Sequence, residues 1–168
     1  TDELIVLAKA ASKHGGIYAS HIRNEGDTEL QALDEAFRIG REANLPVEIW
    51  HFKVAGRENW GNMPKAIAAI EKARAQGLDV TADQYPYIAS ATSLGAVIPP
   101  KYHAGGVDQF VARLQDPATR TAIRKELESA PSGSLENMWR GTGGPAGILV
   151  VSVLRSDLKR YEGKNIAQ

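Results

Sequence analysis

The chain has 168 residues, of which 43% are hydrophobic and 24% charged, and a globular chain of this length buries about 70% of the surface its unfolded form exposes. Twenty Lys and Arg balance twenty Asp and Glu, so no broad field draws nucleic acid or an anionic membrane, and the absence of cysteine excludes disulfides, thiolate nucleophiles and Cys-type zinc sites. No run approaches the ~18 apolar residues of a membrane span and no basic-then-apolar leader opens the chain, so a soluble, cytoplasmic protein with no nucleic-acid or membrane partner is expected.

Leu4, Ile5, Leu7, Ala8 and Ala11 predict a helix running through Lys13 and stopped at His14-Gly15-Gly16. Gly16 to His21 follows as a short strand. Thr28 is the expected N-cap of a second helix, with Ala32, Leu33, Ala36, Phe37, Ile39 and Gly40 at helical spacing and an end near Asn44. Pro46 to His51, β-branched and aromatic, is a second strand entered through proline. A loop from Val54 to Gly61 leads to a third helix starting at Pro64 and stopping at Gly77, and Leu78 to Asp83 is a third strand. Strands alternating with helices argue for a parallel sheet in an α/β fold. The expected strand ends at His21, His51 and Asp83 are 51 − 21 = 30 and 83 − 51 = 32 residues apart, which suits the unit of about 31 residues in a (β/α)₈ TIM-like barrel of ~250 residues, although a doubly wound sheet fits as well.

After Tyr87 the rhythm breaks. Residues 1–87 form successive β/α units, whereas 88–168 combine a long loop with Pro99-Pro100, a helical insertion of two helices near 106–115 and 117–129, a Gly/Ser/Pro-rich stretch over 131–145 and a buried-type strand, Gly147 to Val153. The chain starts inside a helical pattern without an initiator Met and stops where a new helix is expected after Gly163, so both ends look cut from a longer protein.

Chemistry concentrates in Tyr18-Ala-Ser-His21-Ile-Arg23-Asn-Glu25 and, one unit later, Glu48-Ile-Trp-His51-Phe-Lys53. A lone histidine at a strand end is ordinarily structural or solvated. Two at equivalent positions of successive parallel units sit on one face of the sheet, where their imidazoles can share an ion. His14 and His103 lack such a setting and are expected to be solvated. Arg23 near Glu25 suggests an ion pair as readily as a substrate contact, and Asp83, within Asp83-Gln84-Tyr85-Pro86, suggests a turn cap rather than a ligand. Trp60 either lines a pocket or packs on the third helix, and Gly141-Thr142-Gly143-Gly144 is loop, since no Lys-Ser/Thr follows it as in a phosphate cradle.

These two segments, with the His51-Phe-Lys53-Val-Ala-Gly56 run, Asn59-Trp60-Gly61 and Gly77-Leu-Asp-Val-Thr-Ala-Asp83-Gln-Tyr85-Pro-Tyr87, resemble the N-acyl-D-amino-acid deacylase (D-aminoacylase) branch of the amidohydrolase superfamily. The resemblance implies an internal fragment of a barrel hydrolase in which zinc polarises the linear amide of an N-acylated D-amino acid and activates water. It implies His21 and His51 as metal ligands, Lys53 as the partner of the substrate carboxylate, and Ser90, Tyr87 and Arg23 as further substrate-binding candidates. The family pattern also requires a first-strand His-x-His, a metal-binding Cys and a late Asp as general base, and none is in this sequence. No catalytic acid or base is therefore assigned here, and the isolated segment is expected to be inactive. Two alternatives stay open: a hydantoinase- or dihydroorotase-like enzyme acting on cyclic amides, and a non-catalytic half-barrel that self-associates through exposed strand edges.

Overall fold

The computed structural model describes residues 1–129 and 136–168, which divide into two units. One comprises residues 1–88 together with Glu136, the other residues 89–129 with 137–168.

In the first unit, helix α1 (Asp2–Ser12) leads into strand β1 (Tyr18–Ser20), helix α2 (Glu29–Ala43), strand β2 (Val47–Ile49), helix α3 (Met63–Ala75) and strand β3 (Val80–Ala82). The strands form one parallel sheet in the order β1-β2-β3, with Tyr18 opposite Val47 and Val47 opposite Val80. Parallel neighbours require crossovers, and α2 and α3 supply them. The expected alternation thus holds, with strands shorter than predicted, because only the central three residues of each find ladder partners. Val47, Ile49 and Val80 are almost fully buried against Leu33, Ala36 and Phe37 of α2 and Ala66 and Ala73 of α3. A second cluster joins Ile5 and Ala8 of α1 to Ile39 and Ala43 of α2.

Helix α2 carries apolar residues at every third or fourth position, and its stripe meets both the sheet and α1. It ends at Asn44 in the left-handed conformation (φ 51°), whose amide bonds back to the last turn. Thr28 occupies the N-cap position, but its side chain makes no capping bond; the Thr28 amide instead donates to the Asn24 side chain (3.1 Å). Gly40 faces β2 with no room for a side chain: a Cβ there would overlap Val47 Cγ2 and lie 3.1 Å from Leu78 Cδ1. The segment expected to be loop before α3 contains a 3₁₀ helix, Arg57–Asn62.

In the second unit, 3₁₀ turns at Leu94–Val97 and Pro100–His103 precede helices α4 (Val107–Gln115) and α5 (Pro117–Glu128), close to the predicted spans. Asp116 caps α5 by accepting from the Thr119 amide (2.7 Å). A short helix α6 (Met138–Gly141) lies within the stretch expected to be loop, and Ala130 to Leu135 of that stretch fall outside the described residues. The strand predicted over Gly147 to Val153 is not formed. Only Leu149 makes a bridge, antiparallel to Asn165, and Leu149 and Val151 are exposed. Backbone bonds do tie the run to the tail of the chain, from the Val150 amide to the Lys164 carbonyl (2.9 Å), the Gly163 amide to the Val150 carbonyl (2.8 Å) and the Ile166 amide to the Ile148 carbonyl (3.0 Å), but the pairing stops at one bridge and leaves Leu149 and Val151 uncovered, so no regular strand extends. No helix follows Gly163. His103, expected to be solvated, stacks on Phe110 (centroids 4.1 Å apart, planes at 16°), and its Nε2 lies 3.1 Å from the Ile98 carbonyl. Among the described residues no helix is long and apolar enough to cross a membrane.

Candidate metal centre

The C-terminal ends of β1 and β2 carry the two histidines, but not at equivalent positions. Ser20 is opposite Ile49 in the ladder, so His21 is one residue past its strand's last pair and His51 two past its own. By strand alternation the two rings would point to opposite faces. What brings them together is the backbone of His51, which turns into the left-handed region (φ 42°). A non-glycine residue held there costs on the order of 1–3 kcal/mol and persists only where its surroundings enforce it. Asp83 does so: its side chain accepts from the His51 amide, its carbonyl accepts from the Phe52 amide (2.8 Å), and its own amide donates to Ile49 (3.1 Å). Asp83 is a cap, then, but of the turn that ends β2 rather than of its own.

The result is a tight cluster. His21 Nδ1 and His51 Nε2 are 3.2 Å apart, with ring centroids at 4.9 Å. Two nitrogens bound to one tetrahedral ion at 2.0–2.1 Å are about 3.4 Å apart. Beneath them lies Glu25, only 4% exposed. Its Oε1 is 2.8 Å from His51 Nδ1 and 3.3 Å from His21 Nδ1, and its Oε2 is 2.6 Å from Lys53 Nζ. Despite the two close approaches, Oε1 has no aligned hydrogen bond. His21, Glu25 and His51 each offer a ligand atom within 4.8 Å of the others. Two imidazole nitrogens facing each other at this distance, over a buried carboxylate, suit a divalent cation of the zinc class.

Lys53 donates to the His51 carbonyl (3.1 Å) and lies 3.0 Å from His51 Nδ1 and 5.5 Å from the centre of the Tyr85 ring. It reaches the face of His51 through this turn, not through the strand alternation that its spacing suggests. Tyr85 stands 6.5 Å from His51 and stacks on Tyr87, with centroids 6.4 Å apart and planes at 29°. Tyr87 itself is exposed, and the ring beside His51 and Lys53 is that of Tyr85, whose hydroxyl is buried without a partner. Arg23 is engaged elsewhere than expected: its guanidinium grips Glu35 with two bonds, Nε to Oε2 at 2.8 Å and Nη2 to Oε1 at 2.9 Å. Those bonds hold the Glu35 carboxyl down at about 2. Ser90 belongs to the second unit and is exposed. Trp60 is exposed, with Arg57 over its ring (5.7 Å). His14 is exposed, as expected.

Two carboxylates near the cluster are unforeseen from the motifs. Glu29, in the first turn of α2, is 2% exposed with both oxygens unpartnered. Burial, with the charge of Glu25, pushes its carboxyl up to about 7. Glu136 accepts from the Glu25 amide (3.3 Å), and burial likewise raises its carboxyl. Glu25 itself was legible as the residue four beyond His21, a His-x-x-x-Glu spacing that pairing it with Arg23 obscures.

No family model matches the chain. It is 48% identical over 94 residues to a D-aminoacylase of Alcaligenes xylosoxydans xylosoxydans, a match covering 56% of this chain and 19% of that one. The chain resembles the N-acyl-D-amino-acid deacylases. An N-acyl-D-glutamate deacylase of the same organism is 42% identical over 92 residues, covering 55% of this chain and 19% of the relative. Among solved structures, a D-aminoacylase described as defining a novel subset of amidohydrolases superposes with a TM-score of 0.51 at 47% identity, over 53% of this chain and 19% of that one. Another D-aminoacylase structure, of an enzyme with a binuclear metal centre, gives 0.50 at 46% identity over 52% and 18%. The chain thus spans about a fifth of the length of the curated relatives it matches. The α/β architecture with its parallel three-stranded sheet agrees with these structures.

Proposed function

We propose that this chain is the segment of a (β/α)₈-barrel amidohydrolase that supplies two metal-ligand histidines and the substrate anchor for hydrolysis of N-acyl-D-amino acids. The observation that carries this is the approach of His21 Nδ1 to His51 Nε2 at 3.2 Å over a buried Glu25; identity of 42–48% to deacylases of this substrate class supports it. A bound divalent metal, zinc in this reading, supplies Lewis acidity toward the amide carbonyl. His21 and His51 hold it. Lys53, against His51 and Glu25, carries the fixed positive charge that would orient the α-carboxylate. Tyr85 walls the same place, and Tyr87, from the segment after β3, is proposed as a further substrate contact. Arg23 has its donors on Glu35 and is left out of the anchor. No residue of this segment is assigned the general base.

Calorimetric titration of the 168-residue chain with zinc tests the centre: one site is expected in the wild type, and its loss in both His21→Ala and His51→Ala. Unchanged binding in either variant would remove the metal reading. For the substrate, the complete enzyme should turn over N-acetyl-D-amino acids and leave hydantoins untouched; the reverse preference would favour the cyclic-amide reading. The sheet offers a specific observation for the self-association reading, since β1 and β3 each have one unpaired edge among the described residues. Sedimentation of the chain decides it, a stable dimer supporting that reading and a monomer opposing it.

A further inference from the structure

We propose that Glu25 is the positioning residue of this centre: its buried carboxylate holds the His51 ring so that Nε2 faces the ion, and keeps Lys53 alongside. The inference rests on the metal reading above. The ring nitrogens that face each other are His21 Nδ1 and His51 Nε2, so an ion shared by the two histidines uses Nε2 of His51. A neutral imidazole that gives Nε2 to a metal carries its proton on Nδ1, and that N–H must find an acceptor.

Among the described residues, two groups lie within reach of His51 Nδ1. Lys53 Nζ is 3.0 Å away, but an ammonium has three donors and no lone pair, so it cannot accept. Glu25 Oε1 is 2.8 Å away, is buried, and is the carboxylate oxygen that has no aligned hydrogen bond. The unsatisfied acceptor and the donor that metal binding creates are therefore the same contact. A small rotation of the ring or the carboxylate aligns them. Lys53 stays on the other oxygen, Oε2, at 2.6 Å, and gives up its approach to Nδ1, which would set donor against donor. Removing the carboxylate leaves the Nδ1–H of the partly exposed His51 without its protein acceptor and leaves Lys53 without its counter-charge.

Ligating histidines ordinarily donate their second N–H to a carboxylate or carbonyl, and losing that partner typically weakens metal binding 10–100-fold. The test is zinc affinity of the 168-residue chain, measured by competition with a chromogenic chelator, in wild type, Glu25→Gln and Glu25→Ala. At least a tenfold loss is expected in Glu25→Ala and a smaller one in the isosteric Glu25→Gln, whose amide oxygen can still accept. Two spectroscopic readouts separate positioning from other roles. In the zinc-loaded wild type, histidine ¹⁵N spectra should show His51 protonated on Nδ1. In the cobalt-substituted protein the d–d bands of Glu25→Gln at saturation should match wild type, because the ligand set is unchanged.

Bands that move in Glu25→Gln would make Glu25 a ligand, and zinc-bound His51 protonated on Nε2 would give Glu25 nothing to hold; either overturns the proposal. So would a folded Glu25→Ala that binds zinc as tightly as wild type. A wild type that binds zinc no better than His51→Ala overturns the metal reading, and this inference with it; wild-type binding that survives intact in Glu25→Ala overturns this inference alone.

Discussion

Replacing Glu29 by Gln should stabilise the first unit at neutral and alkaline pH and leave it unchanged in acid. Glu29 sits at the N-terminus of α2, where the helix dipole ordinarily favours a carboxylate. Burial outweighs that effect here: the side chain is 2% exposed, neither oxygen has a partner, and the Glu25 charge is close, with Lys53 only partly compensating. The carboxyl is raised from 4.5 to about 7. At 1.36 kcal/mol per unit the full shift would be worth about 3.4 kcal/mol; allowing for solvent screening in this shallow, charged centre, we take about 2 kcal/mol. A raised folded-state value means that the fold prefers the protonated acid. Its contribution is fully present below pH 4.5 and is lost as pH rises through 7.

The assay is urea denaturation followed by far-ultraviolet circular dichroism, on wild type and Glu29→Gln, at several pH values from below 4.5 to above 7. All other titrating groups are shared, so the difference between the two curves isolates Glu29. Glu29→Gln should gain about 2 kcal/mol on wild type across that window. Parallel curves would refute the reasoning, since they would mean that the carboxylate is as well solvated folded as unfolded.

Three further outcomes follow from other contacts. Arg23→Ala should cost about 1 kcal/mol at neutral pH, a figure discounted because the Arg23 side chain is 42% exposed; since Arg23 holds Glu35 down at about 2, the difference between variant and wild type should shrink as pH falls from 4.5 toward 2. Gly40→Ala should lose about 1–3 kcal/mol in the same denaturation assay, because its methyl would overlap the Val47 side chain of β2. If the proposed function holds, Lys53→Ala in the complete protein should lower kcat/KM by about 2 kcal/mol or more. Wild type should lose most of its activity on a substrate whose α-carboxylate is amidated, whereas the variant should barely distinguish the two; a variant that still prefers the free carboxylate would show that Lys53 is not the anchor.

Local chemistry was enough to establish the alternating elements. The apolar stripe of α2, the proline before β2, the β-branched cores of β2 and β3 and the Asn44 stop each act within a turn or two of chain, so order, type and parallel class follow from the sequence. The pairing of His21 with His51 was also legible, but for an incomplete reason. Their 30-residue spacing suggests equivalent positions, yet the ladder sets them one register step apart. Only the tertiary structure, through the Asp83 cap and the left-handed backbone of His51, turns that offset into a shared face. The same holds for Glu25, whose burial between three cationic or ligating groups depends on how the segment after β1 packs. It holds too for Arg23, which finds Glu35 one helical segment away rather than its sequence neighbour. The Gly147 to Val153 run shows the converse, a strand-like sequence whose pairing stops at a single antiparallel bridge, Leu149 to Asn165. Periodicity encodes what a segment can bury; which partner meets it, and which carboxylate is left without one, is decided by contacts between residues far apart in the chain.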